Sequence, residues 1–227
     1  MKLLSPIALT SFALASTLGV TAADADNPLT PRRFEVTVTN LTRGQTFTPI
    51  LVATHLKGLK LFTPGSPASP QLATLAEEGD TRPLADLLRG LPAVKEVAVS
   101  SGLTGPGKTT TITLTAGGRF DHISVAAMLI PTNDGFFAIN GLEGPMGREP
   151  LSLRSPVYDA GSERNDELCA SIPGPSFTEC GGPGGGAKVG NGEGFVHIHA
   201  GIHGIGNFNA AERDWRNPVA EITIKPK

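Results

Sequence analysis

Eight short runs of alternating or unbroken apolar residues, most of them bounded by turn-forming residues, constrain this chain more than any other feature. Phe34-Glu35-Val36-Thr37-Val38-Thr39 alternates apolar and polar positions, the period of a strand with one face in a core. Comparable runs occupy 49–54, 94–100, 109–115, 122–130, 136–139, 195–199 and 219–224. Residues 123–130 are almost continuously apolar, which suits a central strand covered on both faces. The 28 glycines and 19 prolines supply the punctuation between runs. Strands in this number, without helices alternating between them, predict an all-β fold: an antiparallel eight-stranded β-sandwich with short helical insertions. The insertions belong to 71–90, where Leu84, Leu87, Leu88 and Leu91 repeat at helical spacing. Asp80 or Thr81 can cap that stretch and Pro83 fits its first turn, giving two short helices on one edge of the sandwich.

The first 23 residues carry Lys2, then a mostly apolar run ending in Thr21-Ala22-Ala23, the pattern of a cleaved secretory signal peptide. The run is too short and weakly apolar for a membrane span, and no later stretch is long enough to cross a bilayer. The expected organisation is a signal peptide at 1–23, a short linker at 24–32 and one domain at 33–227, secreted, periplasmic or at the cell surface. In such a compartment Cys169 and Cys180 are expected to pair. The long stretch 141–193 is poor in strand pattern and reads as one functional or disordered loop. A formal net charge of −2 argues against a nucleic-acid partner. Gly102-Leu103-Thr104-Gly105-Pro106-Gly107-Lys108-Thr109 fits the phosphate-loop pattern, but a β-branched run follows it where a nucleotide site requires a helix. It reads as a hairpin turn, and no nucleotide is expected. Asn40-Leu41-Thr42 is a glycosylation sequon that matters only in a eukaryotic source.

Two constellations can carry chemistry. Asn133-Asp134-Gly135 lies between two strands, and Tyr158 to Glu167 is rich in acids. Calcium takes about six to eight oxygen ligands, and Asp134, Asp159 and Glu163, with Asp166 in reserve, can supply carboxylates if their loops meet. The bland counterpart is a tight turn and a solvated acidic loop. Separately, His197, His199 and His203 place three of the five histidines within one short segment. On a strand His197 and His199 point to one face, and converging imidazoles bind zinc or copper. No carboxylate or cysteine stands next to them in sequence to complete such a site. No motif singles out a catalytic residue.

Phe34 to Thr42, Phe47 to His55, Asn133-Asp134-Gly135-Phe136, Tyr158-Asp159-Ala160-Gly161 and His197 to Gly204 together resemble a spondin domain, over about 33–224. The resemblance is to its microbial single-domain exported members. It implies a C2-like antiparallel sandwich that binds calcium through loop aspartates. By position Asp159 matches the first aspartate of the family's D-A-G-x-D motif, and Asp134 the earlier loop aspartate. Glu163 stands where that motif has its second aspartate, a departure longer by one methylene. The expected function is a non-enzymatic calcium-binding module acting on an unidentified extracellular ligand or a matrix or surface component. The alternative is a zinc or copper protein, possibly an enzyme, built on the histidines.

Overall fold

A computed structural model describes residues 31–187 and 190–227; the expected signal peptide and residues 24–30 of the linker lie outside them. The alternation of the first run is realised in β1 (Pro31–Asn40), whose Phe34, Val36 and Val38 are buried. There follow β2 (Thr46–Phe47), β3 (Leu51–His55), β4 (Val94–Val99), β5 (Thr109–Gly117), β6 (His122–Ile130) and β7 (Gly135–Glu143). The second half holds β8 (Leu151–Ser155), β9 (Val157–Asp159), β10 (Ser176–Phe177), β11 (Gly182–Pro183), β12 (His197–Ile198) and β13 (Ala220–Pro226). One sheet has the order β5-β1-β13-β8, and the other β12-β9-β7-β6-β3-β4, with β2 also paired to β6. Their strand pairings are antiparallel.

The period of two divides β3, β6 and β7 between two cores. Val52, Ile123, Val125, Phe137 and Ile139 face the four-stranded sheet, together with Val36, Val38, Ile222 and Ile224. Leu51, Ala53, Ala126, Phe136 and Ala138 face the other way. Over them lie α1 (Pro70–Glu78) and α2 (Arg82–Arg89), which bury Leu72, Leu75, Leu84 and Leu88. The helices therefore cover a sheet face, where an edge position was expected, and β6 is buried along its whole length. Ser69 caps α1 by accepting the Leu72 N–H at 3.2 Å, and the Asp80 carboxylate accepts the Arg82 N–H at 2.9 Å. A short α3 (Ala210–Arg213) has no counterpart in the sequence reading.

Thirteen strands among the described residues exceed the expected eight. The stretch expected to be one loop contains β8 and β9, separated by Pro156, and the expected strand at 195–199 narrows to β12. The segment 102–109 is also corrected. It crosses from β4 in one sheet to β5 in the other, so it is no hairpin, though β5 is a strand as the rejection of a phosphate loop requires. Asn40 of the sequon is fully buried, and its amide donates to the carbonyls of Gln45 at 2.8 Å and Thr104 at 3.0 Å. Both amide hydrogens are spent on the fold, which closes that nitrogen to a glycan in the folded state.

Candidate metal centre

Three elements of the larger sheet end side by side. Gly135 opens β7 opposite Asp159 of β9, and Asp159 lies opposite His197 of β12. Directly opposed residues on antiparallel strands project to one face, so Asp159 and His197 meet there. Gly135 leaves room for Thr132 and His199: a Cβ at that position would come 2.8 Å from Thr132 Oγ1 and 3.0 Å from the His199 ring. Gly161, at φ +66°, turns the chain after β9, where a Cβ would strike the Phe195 backbone at 2.3 Å. The segment carrying Glu193 can therefore lie close, and the Gly194 N–H donates to the Gly161 carbonyl at 2.8 Å.

The donors converge at short range. His197 Nε2 lies 3.6 Å from Asp159 Oδ1 and 3.5 Å from Glu193 Oε2, and the three ligand atoms lie within 4.8 Å of one another. Ligands of a tetrahedral cation with bonds of about 2.0–2.2 Å sit about 3.4 Å apart, so these separations suit a shared ion. Asp159 Oδ1 also accepts the Gly161 N–H at 2.7 Å, and Oδ2 accepts the Asn165 amide at 2.7 Å. Such outer contacts hold a ligating carboxylate in orientation.

The two histidines have different protonation. His197 Nδ1 lies 3.0 Å from the Ile198 carbonyl, which can only accept, so Nδ1 carries the hydrogen. In the neutral ring Nε2 then holds a free lone pair, and it is buried without a hydrogen-bond partner. Burial disfavours the charged ring, but the Ile198 carbonyl and the Asp159 and Glu193 carboxylates outweigh it and raise its pKa. In His199 the Gly201 N–H donates to Nδ1 at 2.9 Å, which places the ring hydrogen on Nε2. That Nε2 is also buried and faces Asp159 Oδ2 at 4.0 Å. Burial lowers the His199 pKa, which favours the neutral ring, and at 4.0 Å its Nε2 is too far from Asp159 Oδ2 for a hydrogen bond.

Asp134 is buried near enough to Asp159 to feel its charge. Its Oδ2 accepts the N–H groups of Ser162 at 2.8 Å and Glu163 at 3.0 Å, while Oδ1 is buried without a partner. Burial, reinforced by the charge of Asp159, pushes its pKa up to about 7 against the pull of those hydrogen bonds. The stretches that carry the acidic and histidine candidates thus share one end of the molecule, with Asp159 common to both. The carboxylate that the sequence does not place next to the histidines comes from a distant stretch: strand pairing brings Asp159 to His197.

The remaining candidates fall elsewhere. Asp166 is occupied by Asn133, Leu168 and Ser171, and it lines a polar cleft with Glu163 and Arg164. His203 is exposed, and its backbone N–H donates to Glu167 Oε1 at 2.5 Å. Glu193 was missed in the sequence reading; its one signal there is a lone carboxylate between Gly192 and Gly194, just before the histidine run. Cys169 and Cys180 form the expected disulfide.

A two-sheet antiparallel sandwich with helices over one face, a disulfide and a cluster of acids and imidazole at one end defines the class of module. The Spondin_N family model matches residues 31–149, just over half of the chain, and the chain belongs to that family of extracellular-type domains. The match includes Asp134, whereas Asp159, Glu193 and His197 lie beyond it. No curated protein matches the chain. Among the described residues no helix is long and apolar enough to cross a membrane.

Proposed function

We propose that this is an exported cation-binding module whose ion is held by Asp159, Glu193 and His197, with Asp134 beside them. One observation carries the reading. In the neutral ring the Ile198 carbonyl leaves the His197 lone pair on Nε2, and that buried atom lies 3.6 and 3.5 Å from two carboxylates with no hydrogen-bond partner. A buried polar atom without a partner costs about 1–3 kcal/mol, and a divalent cation removes that cost while offsetting repulsion between the carboxylates. Asp134 Oδ1 is a second buried polar atom without a partner, next to the candidate ligand Asp159 whose charge it feels.

The imidazole decides between ions. Calcium and magnesium prefer all-oxygen sites, whereas zinc and its neighbours accept nitrogen and carboxylate together. Zinc is therefore favoured over calcium. The extracellular family and the disulfide support export to an oxidising compartment.

The test uses untagged protein stripped with a chelator and titrated with zinc, copper, manganese and calcium, followed by calorimetry and melting temperature. Micromolar zinc is expected to raise the melting temperature, and His197→Gln to abolish the rise. A response to calcium alone, insensitive to His197→Gln and lost in Asp134→Asn, would transfer the site to the all-oxygen set of Asp134, Asp159 and Glu163. No response to any of the four ions removes the reading.

A further inference from the structure

We infer that this centre exchanges its cation with the surroundings, and that Glu193 is the ligand through which the ion enters and leaves. The inference rests on the cation reading above and concerns what the site does with the ion once held.

The three donors are fastened very differently. Asp159 is fully buried, with both oxygens oriented by Gly161 and Asn165. His197 is set by its pairing with β9 and by the Ile198 carbonyl, and its side chain is 27% exposed. Glu193 is 41% exposed in its side chain and approaches from the solvent side on Gly192-Glu193-Gly194. The backbone there is held down by the bond from Gly194 to Gly161, so a change of side-chain rotamer alone withdraws the carboxylate. Exposed side chains change rotamer in picoseconds to nanoseconds, whereas Asp159 is fully buried and His197 is the less exposed of the other two donors.

Structural metal sites are closed by buried ligands, while sites that act on or pass on their ion keep one position open. Here the replaceable position is the one Glu193 fills. In an exchange step the bond between the cation and Glu193 Oε2 breaks as a bond to an incoming donor forms, and the displaced carboxylate stays ionised in water. No electron moves. The partner chemistry is a chelating donor of matching type, a carboxylate or imidazole group able to follow the ion out. A role in handing on or taking up a divalent cation follows, distinct from one of bracing the fold.

Cobalt(II) serves as the probe, because its visible absorption reports coordination and it quenches nearby fluorescence. Trp215, the sole tryptophan, lies 5.1 Å from the His199 ring and reads the same site. Loaded protein is mixed with excess EDTA and the release followed by both signals. Glu193→Gln and Glu193→Ala are expected to load cobalt yet release it faster than wild type by on the order of tenfold or more. Their metal-free melting temperatures should equal that of wild type, and Asp159→Asn should fail to load. Release at the wild-type rate in both Glu193 variants overturns the inference and leaves the cation reading standing. A wild-type protein that never takes up cobalt, zinc or any other tested ion removes both together.

Discussion

What an acid or an imidazole contributes here depends on which of its atoms are already engaged. Glu167 is buried, but its carboxylate accepts three backbone N–H groups, from His203, Gly204 and Ile205, so its charge is spent on shaping a turn. Asp134, another buried carboxylic acid, has one oxygen fully engaged and the other without a partner. Residue type alone does not separate the two, which is why the acidic stretch around Tyr158 to Glu167 overstates the number of candidate ligands. Glu179 shows the third possibility, a carboxylate with a cationic partner. Arg213 donates to its two oxygens at 2.6 and 2.8 Å, and this contact holds the Glu179 pKa below its ordinary 4.5. A carboxyl group with a lowered folded pKa stabilises the fold fully above its unfolded value and loses that contribution as pH falls through the folded value. Glu179→Gln is therefore expected to cost about 1.5–3 kcal/mol at pH 7. The difference from wild type should shrink below pH 4.5 in urea unfolding at a series of pH values, and a pH-independent difference would assign the loss to packing.

Among the elements, α2 shows how a periodic pattern is right in kind and incomplete in detail. Its three leucines share helical spacing with Leu91 just beyond its end, yet Leu84 and Leu88 are buried against the sheet while Leu87 is 42% exposed. Leu88→Ala is expected to cost about 2–5 kcal/mol through the cavity it leaves, and Leu87→Ala no more than about 0.5 kcal/mol. Equal midpoints for the two variants in urea unfolding would contradict the helix placement. Long runs with a clean period were legible: β1, β5, β6 and β13 lie where alternation or continuous apolar sequence puts them. The short strands β8 and β9 were not, because they are split by Pro156 and too short for a period to show, although the five-residue β3 overlaps the run at 49–54. The hairpin reading of 102–109 failed for a different reason. A glycine-rich turn is compatible with a connection within one sheet or between two, and the choice is made by packing, where Glu96 Oε2 accepts the Thr115 N–H at 2.6 Å across the sheets. The site was half legible on the same grounds: Asp134 and Asp159 stand in recognisable turns, but only strand pairing reveals that His197 faces Asp159.

At the scale of the molecule, the longest strands of the two main sheets lie in the first 143 residues apart from β13, whereas the metal-ligand candidates come almost wholly from the later chain, which also adds β8, β9, β12 and the core residues Ile172, Phe177, Ile202 and Phe208. Between β9 and β12 there is no long strand, and the order of this stretch must come from other devices. The disulfide is one. It joins Cys169 to Cys180 and, through Gly185 N–H donating to the Cys169 carbonyl at 2.7 Å, it fixes the glycine run that leads toward Glu193. Gly185 packs so closely that a Cβ would lie 2.2 Å from the Ala170 carbonyl oxygen, so the run can sit there only as glycine. Glu179, inside the disulfide loop, ties it to Arg213 and α3, closing the arrangement against the region that follows His199. Replacing both cysteines by serine releases a short covalent loop, and loop-closure entropy sets the expected loss at about 2–3 kcal/mol. The β-sheet circular dichroism should persist at low temperature, because no long strand depends on the link, while the urea midpoint falls. The cation response should weaken in the same variant, since Glu193 loses the anchor upstream of it. A double serine variant with an unchanged midpoint and an unchanged zinc titration would mean that backbone packing through Gly161 and Gly194 alone positions the loop.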